Sequence, residues 1–363
     1  MLEQTFDRAG LREVYEKVLA GERLSFADGM RLYETPDLNA VGYLANLVRE
    51  RWHGNQAYYV RNQHINYTNI CTKACRFCSF YVRPQDPRAY CLTPEQVQEK
   101  IRRFLSLPLA EVHIVGGVNP KLPYEYYLDL VRAVKEVRPG VQVKAYTMIE
   151  IEQIARVGRK TVRETLLDLK AAGVEVLPGG GAEVFAERVH AELFPAKAGF
   201  TRWLEIARVA HEVGLFTNAT LLYGHVEQPA EKVQHFLRLR EVQDETGGFL
   251  AFLPLSWHPE NTALSHLPGP TGVQDLREIA VARLMLDNFP HIKSFWVMNT
   301  PSLTQVALWY GVDDVDGSVL EYEITRDPET DTQQVLTQRQ LVALIREAGR
   351  EPVERDAVYN IYE

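Results

Sequence analysis

Apolar residues recur at helical spacing through the first fifty positions: Leu11, Val14, Tyr15, Val18 and Leu19, then Val41, Leu44, Leu47 and Val48. That recurrence predicts amphipathic helices. From there the pattern alternates. Short continuous apolar runs, as expected of strands buried on both faces, occur at 64–70, 111–115, 141–146, 174–177, 216–223, 249–255 and 292–297. Stretches of helical length separate them at 94–106, 124–137, 161–172, 201–213, 230–245, 272–288 and 301–309, and an eighth strand is expected at 318–324. Strand ends near 70, 116, 147, 178, 223, 255 and 297 lie 31 to 46 residues apart. This is a βα period. Eight such units with right-handed crossovers most simply close into an α/β protein of the (β/α)8 TIM-barrel type, and a doubly wound open sheet is the alternative. The expected organisation is a helical segment over 1–50 packed on the barrel, the barrel over 51–325, and a C-terminal extension over 326–363. That extension reads as a polar loop at 326–336, a helix near 337–348 and a tail.

Cys71, Cys75 and Cys78 fall where the first expected strand ends, in the run Cys-Thr-Lys-Ala-Cys-Arg-Phe-Cys. Soft thiolates suit an iron–sulfur cluster. Three ligands leave one iron of a [4Fe–4S] cube free to bind a small molecule. Zinc would need four closed ligands. The remaining cysteine, Cys91, is thirteen residues on, and His64 is the other candidate. Four cysteines in 363 residues do not make a disulfide scaffold. Cys91 stands just before an expected helix start at Thr93-Pro94-Glu95 and reads as a spare thiol.

The cysteine spacing resembles the signature of the radical S-adenosylmethionine (SAM) superfamily. There the open iron chelates the amino and carboxylate groups of SAM, and an electron from the cluster releases a 5′-deoxyadenosyl radical. The resemblance implies that Gly116-Gly117 receives the SAM amino group, against an ordinary βα turn. It also implies that Tyr223-Gly224, in Leu-Tyr-Gly-His-Val-Glu, lines the adenine, with Glu227 capping the next helix. Glu150 and Glu183 follow expected strands and can accept ribose hydroxyls. The plainer reading of each is a first-turn helix residue. The Gly179-Gly180-Gly181 run lacks the Lys-Ser/Thr ending of a phosphate loop. His258 and Asn261, in Ser-Trp-His-Pro-Glu-Asn-Thr, offer a proton carrier and a donor. Tyr81 follows the last cluster cysteine closely. Arg283 sits in an otherwise apolar helix and needs an anion, either a protein carboxylate or a substrate carboxylate.

Longer runs resemble the futalosine-pathway and deazaflavin-synthase branch of that superfamily. They are His64–Cys71, Leu177–Glu183, Asn218–His225 and Leu239–Phe249. Finer features are similar to the aminodeoxyfutalosine synthase family: His113-Ile-Val-Gly-Gly117, His258-Pro-Glu-Asn-Thr262, His266–Gly272 and Trp296-Val-Met298, with Asn119 and Asn299-Thr300 as small departures. The resemblance implies addition of the adenosyl radical to the enol ether of 3-[(1-carboxyvinyl)oxy]benzoate, rearrangement, and loss of a carboxyl as bicarbonate. The product is 6-amino-6-deoxyfutalosine, on the way to menaquinone. SAM is consumed as co-substrate, and a flavodoxin- or ferredoxin-type donor supplies the electron. The runner-up reactions are those of dehypoxanthine futalosine cyclase and of deazaflavin (FO) synthase-like enzymes. An iron–sulfur electron-transfer or sensor protein is the reading from another class.

Composition changes this little. The chain is 46% hydrophobic and 24% charged with net charge −8, which leaves ample core and no basic run to suit nucleic acid. The first residues lack the basic and apolar regions of a secretory leader, and no apolar run approaches a membrane span. A cytoplasmic enzyme with reduced thiols is expected.

Overall fold

The computed structural model describes residues 2–325 and 335–362; most of the polar loop expected at 326–336 lies outside them. Ten strands are formed: β1 (Gln56–Val60), β2 (Asn62–Ile65), β3 (Glu111–Ile114), β4 (Gln142–Ala145), β5 (Val174–Leu177), β6 (Phe216–Tyr223), β7 (Phe249–Ser256), β8 (His291–Ile292), β9 (Asp314–Gly317) and β10 (Glu351–Glu354). β2 to β8 pair in chain order, all parallel, as one curled sheet of the TIM type. Helices cover it, among them Tyr124–Val137, Val162–Ala172, Phe200–Glu212, Pro229–Thr246 and Gly272–Met285. Their starts follow the local chemistry: Thr93, Thr147, Thr161 and Thr271 each cap a helix reciprocally with the Gln or Glu three residues on. The helices Met148–Gly158 and Glu187–Leu193 were not expected, nor was the short turn Trp296–Asn299 that ends the apolar run at 292–297 early.

The eighth stave differs from expectation. The strand near 318–324 is displaced to Asp314–Gly317, and β9 belongs to a second sheet of order β10-β1-β9. The seam between β8 and β2 is instead closed by the irregular chain 313–320. On one side Asp313 N–H donates to Ile292 O (3.1 Å) and Ser294 N–H to Asp314 O (2.9 Å). On the other, His64 N–H donates to Leu320 O (2.8 Å) and Leu320 N–H to Asn62 O (3.3 Å). β10 follows the C-terminal helix Gln338–Glu347 and pairs with β1, so the C-terminal extension is stitched to the chain entering the barrel.

The closing segment is rich in buried carboxylates, and each has a cation. Asp314 takes Arg355 at 2.5 Å, Asp316 takes Lys293 at 3.4 Å, and Asp313 takes Arg283. The last pair corrects the reading of Arg283 as a substrate anchor. Its guanidinium is fully buried, donates to Gly311 O (2.9 Å) and the Asp313 carboxylate, and does not reach the cavity at the strand ends. Asp313 also accepts from His291 Nδ1 at 2.6 Å. Against the cost of burial, His291, His53 and Arg283 hold its carboxyl well below the usual range. His53, His291 and Asp313 bring three ligand atoms within 4.8 Å of one another, but Arg283 already supplies the cation there.

At the N-terminus, helices Leu2–Arg8, Arg12–Ala20, Phe26–Glu34 and Leu38–His53 pack on the barrel. Arg49, fully buried, donates to Val312 O (3.2 Å) and to the carbonyls of Gly54 and Gln56. Among the described residues no helix is long and apolar enough to cross a membrane.

Removing one partner of a fully buried ion pair strands the other charge, at a cost of about 3–5 kcal/mol. Arg283→Met is therefore expected to lower unfolding stability by that amount in urea titration, while SAM affinity of whatever folded protein remains is unchanged. A variant with unaltered stability would show that Asp313 is served without it.

Candidate active site

The cysteine loop leaves β2 through Asn66–Ile70 and is pinned on every side. Cys71 N–H donates to Val82 O (3.3 Å), Thr72 N–H to Val118 O (3.0 Å), Arg76 N–H to Leu193 O (2.9 Å) and Cys78 N–H to Cys75 O (3.2 Å). Trp257 Nε1–H, from the end of β7, donates to Phe77 O at 3.1 Å. The Gly116-Gly117 pair explains how the loop fits. A Cβ on Gly117 would stand 2.3 Å from the Ile70 carbonyl oxygen, so only glycine lets the end of β3 lie against the chain entering the loop.

All four cysteines are free. Burial pushes the Cys75 thiol up to about 12, and it raises Cys78 even though the backbone N–H groups of Tyr81 and Phe80 point at its sulfur. Such thiols stay protonated until a metal claims them. The donor set also speaks to which metal. Three thiolates on one loop are one short of a closed zinc site, and they suit a polynuclear cluster that gives each thiolate its own iron. The residues fit a [4Fe–4S] cluster held by Cys71, Cys75 and Cys78.

Beside the loop, at the C-terminal ends of the strands, opens a cavity of about 270 Å³. Cys78, Gly179, Gly180, Glu183 and His258 reach it, together with apolar side chains such as Leu222, Leu255 and Trp257. Glu183, in left-handed backbone (φ 48°), ion-pairs with Lys197. The Lys197 ammonium is 5.1 Å from the centre of the Phe77 ring. Burial opposes its charge, but the ion pair with Glu183 holds the ammonium above its ordinary range. Lys197 was not anticipated; it stands in the turn Phe194-Pro-Ala-Lys-Ala-Gly199, and nothing in its neighbours announces a partner fourteen residues away. His258 lines the cavity with Nε2 2.9 Å from the Met298 carbonyl. A carbonyl only accepts, so Nε2 carries the proton and Nδ1 of the neutral ring is left as the acceptor.

Other expected contacts lie behind the cavity wall. Glu150 is buried, its Oε1 accepting from Tyr67 OH (2.9 Å) and Gly116 N–H (3.0 Å), its Oε2 from the N–H and hydroxyl of Thr147 (both 2.8 Å). With both oxygens engaged it is a helix-start residue that positions Gly116, not a ribose ligand. Tyr223 is equally enclosed, donating to Asp275 Oδ1 (2.7 Å) and accepting from Asn299 Nδ2 (3.2 Å). Gly224, at φ +97°, turns the chain where a Cβ would meet the Pro270 ring at 2.7 Å, and its N–H donates to Glu227. Asn261 is exposed in left-handed turn backbone (φ 59°), away from the cavity. Tyr81 is half-buried and off the cavity too, and reaches the site through its backbone N–H at Cys78. Cys91 keeps to itself, its sulfur 3.3 Å from Tyr126 OH.

A thiolate triad on the loop after the first barrel strand, opening onto an apolar cavity at the strand ends, defines a class, and the comparisons agree. The radical SAM superfamily matches residues 65–239, and the CofH/MqnC C-terminal region matches 246–363. The chain belongs to the radical SAM superfamily, which uses a [4Fe–4S] cluster and SAM. Among relatives, it is 49% identical to the aminodeoxyfutalosine synthase of Thermus thermophilus, over 95% of this chain and 94% of that one. It is 42% identical to the enzyme of the same name from Streptomyces coelicolor (97% and 94%). The cyclic dehypoxanthine futalosine synthase of Halalkalibacterium halodurans is more distant, at 34% (96% and 94%). Of solved structures, methylornithine synthase superposes with a TM-score of 0.72 over 93% of this chain and 96% of that one, at 19% identity, and shares the fold.

After anaerobic reconstitution and reduction with dithionite, Cys71→Ala, Cys75→Ala and Cys78→Ala are each expected to lose the electron paramagnetic resonance signal of the reduced [4Fe–4S] cluster, and Cys91→Ala to keep it. Loss in the Cys91 variant would argue for four protein ligands. A second expectation concerns Glu150, whose carboxyl burial raises from 4.5 to about 7. A carboxyl raised in the folded state favours the protonated protein. Its contribution is full below about 4.5 and is lost as pH rises through about 7. Relative to Glu150→Gln, which does not titrate, the wild type should lose roughly 3 kcal/mol of unfolding stability across that window. Parallel pH profiles would show Glu150 to be ionised throughout.

Proposed function

We propose that this protein is an aminodeoxyfutalosine synthase. It joins the adenosyl moiety of SAM to 3-[(1-carboxyvinyl)oxy]benzoate, taking up water and releasing methionine and bicarbonate, to give 6-amino-6-deoxyfutalosine for menaquinone synthesis. The observation that carries the reading is the 49% identity over 95% of this chain, a span that takes in both the cluster loop and the cavity wall. When bound, the cluster supplies the electron that cleaves SAM to methionine and a 5′-deoxyadenosyl radical. Everything else falls to the protein. Gly180 and the Lys197-braced Glu183, which line the cavity with Cys78, would hold the SAM ribose. Leu222, Leu255 and Trp257 exclude water, which keeps the alkene against C5′ and suppresses side reactions. His258, fixed through Nε2, presents Nδ1 to accept a proton as the rearranged adduct collapses. A flavodoxin- or ferredoxin-type protein is the proposed electron donor, and the cytoplasm the proposed compartment.

Anaerobic turnover with dithionite, SAM and the enol ether, read by mass spectrometry, tests this. The expected product retains the adenosyl group. Free 5′-deoxyadenosine as the sole nucleoside product would point to the hydrogen abstraction of the cyclase instead. In the same assay His258→Ala is expected to form the adduct about 100-fold more slowly or worse, with cluster content and SAM binding intact. Unchanged turnover would remove His258 from the chemistry.

A further inference from the structure

His64 on β2 and His113 on β3 are register partners in the parallel pair, and their rings lie 4.6 Å apart. Both reach the cavity from within the strands, so they stand deeper in the barrel than Cys78, which lies on the loop above. His64 is 3% exposed, and neither of its ring nitrogens has a hydrogen-bond partner; Nε2 of His113 is likewise buried and unpartnered. Buried polar atoms are nearly always paired, and a neutral imidazole always carries one N–H. Three unpartnered buried nitrogens on two adjacent rings therefore mark a candidate binding site.

The surroundings decide what that ligand is. Burial lowers His64 to about 4 and His113 well below its ordinary value, so both rings are neutral near pH 7 and each donates one hydrogen bond. Beneath them the charges are already balanced: Lys144 pairs with Glu111 at 2.6 Å and Lys293 with Asp316 at 3.4 Å. No carboxylate or thiol completes a set of three ligand atoms with these rings within 4.8 Å among the described residues, which speaks against a metal. Tyr322 and Phe295 stand beside His64, with ring centres 5.3 and 6.4 Å away, so the walls are aromatic. Two neighbouring donors at the bottom of an aromatic slot match the two oxygens of one arylcarboxylate.

We propose that His64 and His113 form the polar floor of the substrate cavity and hold the ring carboxylate of the aromatic co-substrate through their imidazole N–H groups. The assignment rests on the reaction proposed above. The alkene and the carboxylate attached to it must lie at the SAM end, near Cys78, so the meta carboxylate of the ring is the group that points down to the floor. Since these histidines touch substrate and not the reacting carbons, their loss acts on binding and placement.

The test uses reconstituted holoenzyme with SAM and no reductant, so that binding is read without turnover. Calorimetry compares 3-[(1-carboxyvinyl)oxy]benzoate with 2-phenoxyacrylate, which lacks only the ring carboxylate. Wild type should bind the dicarboxylate at least tenfold more tightly. His64→Phe and His113→Phe should each erase most of that preference by weakening the dicarboxylate alone. Equal binding of the two compounds by wild type, a comparison that needs no variant, overturns the proposal. So does an equal loss for both compounds in the variants, which marks a packing role, or zinc bound beyond the cluster iron and lost in His64→Phe. Adding reductant to the wild-type mixture then judges the reaction separately: a preference for the dicarboxylate without an adenosyl adduct would leave the carboxylate site standing and sink the synthase assignment.

Discussion

Glu150 gathers donors from three segments that the barrel would otherwise leave apart. Tyr67 belongs to the chain running from β2 into the cysteine loop, Gly116 to the end of β3, and Thr147 to the end of β4. One carboxylate thereby fixes the mutual height of three consecutive loops. The cysteine loop inherits its position from that junction, because Gly117 presses its backbone against Ile70 one residue before Cys71. The cost of burying the carboxyl, visible in its raised pKa, is offset by four short hydrogen bonds to it. The arrangement explains why a residue that touches neither cluster nor cavity stands at the centre of the site.

The second constraint is closure. With seven regular strands, the barrel needs an eighth stave, and the chain that supplies it carries Asp313, Asp314 and Asp316 into the interior. Each is matched by a cation from a different part of the sequence: Arg283 from a barrel helix, Arg355 from the C-terminal tail, Lys293 from the end of β8. Buried pairs of this kind are weak sources of net stability but strict about partners. They make the closing chain register with one helix and one tail and with nothing else. The sheet β10-β1-β9 serves the same end through backbone pairing.

What the sequence shows and hides follows from this. The βα rhythm is legible because strands buried on both faces must be apolar, and five of the seven expected runs coincide with strands to within a residue; the first, 64–70, overlaps β2 only at 64–65, and the last stops at Ile292. The closing stave is not legible, since a run of aspartates reads as a loop until its cations are placed beside it. β10, Glu-Pro-Val-Glu, hides for the same reason. In the site, the thiolate triad is legible because its chemistry is local. Arg283 and Glu150 announce an unmet charge but not which group meets it, and in both cases the partner turns out to be protein. His64 and His113 are hidden in the apolar runs of their own strands; only the third dimension shows that they adjoin and lack partners.

The two matched regions also divide the labour of the cavity. The radical SAM region supplies the cysteines, the Gly179-Gly180 bend and Glu183. The C-terminal region supplies Trp257, His258, Phe295, Met298, Asp316 and Tyr322, which form the opposite wall. Relatives whose names denote different reactions align over nearly the whole of this chain. A shared fold cannot by itself separate such reactions, because function lies in the site built on it. Discrimination must come from what the far wall and floor hold in place before cleavage. In this chain that surface is largely aromatic, its carboxylate Asp316 is paired with Lys293, and its other hydrogen-bonding groups stand at defined points: His258 and the His64–His113 pair. A co-substrate with an aromatic body and an acceptor at its far end matches both features of that surface at once.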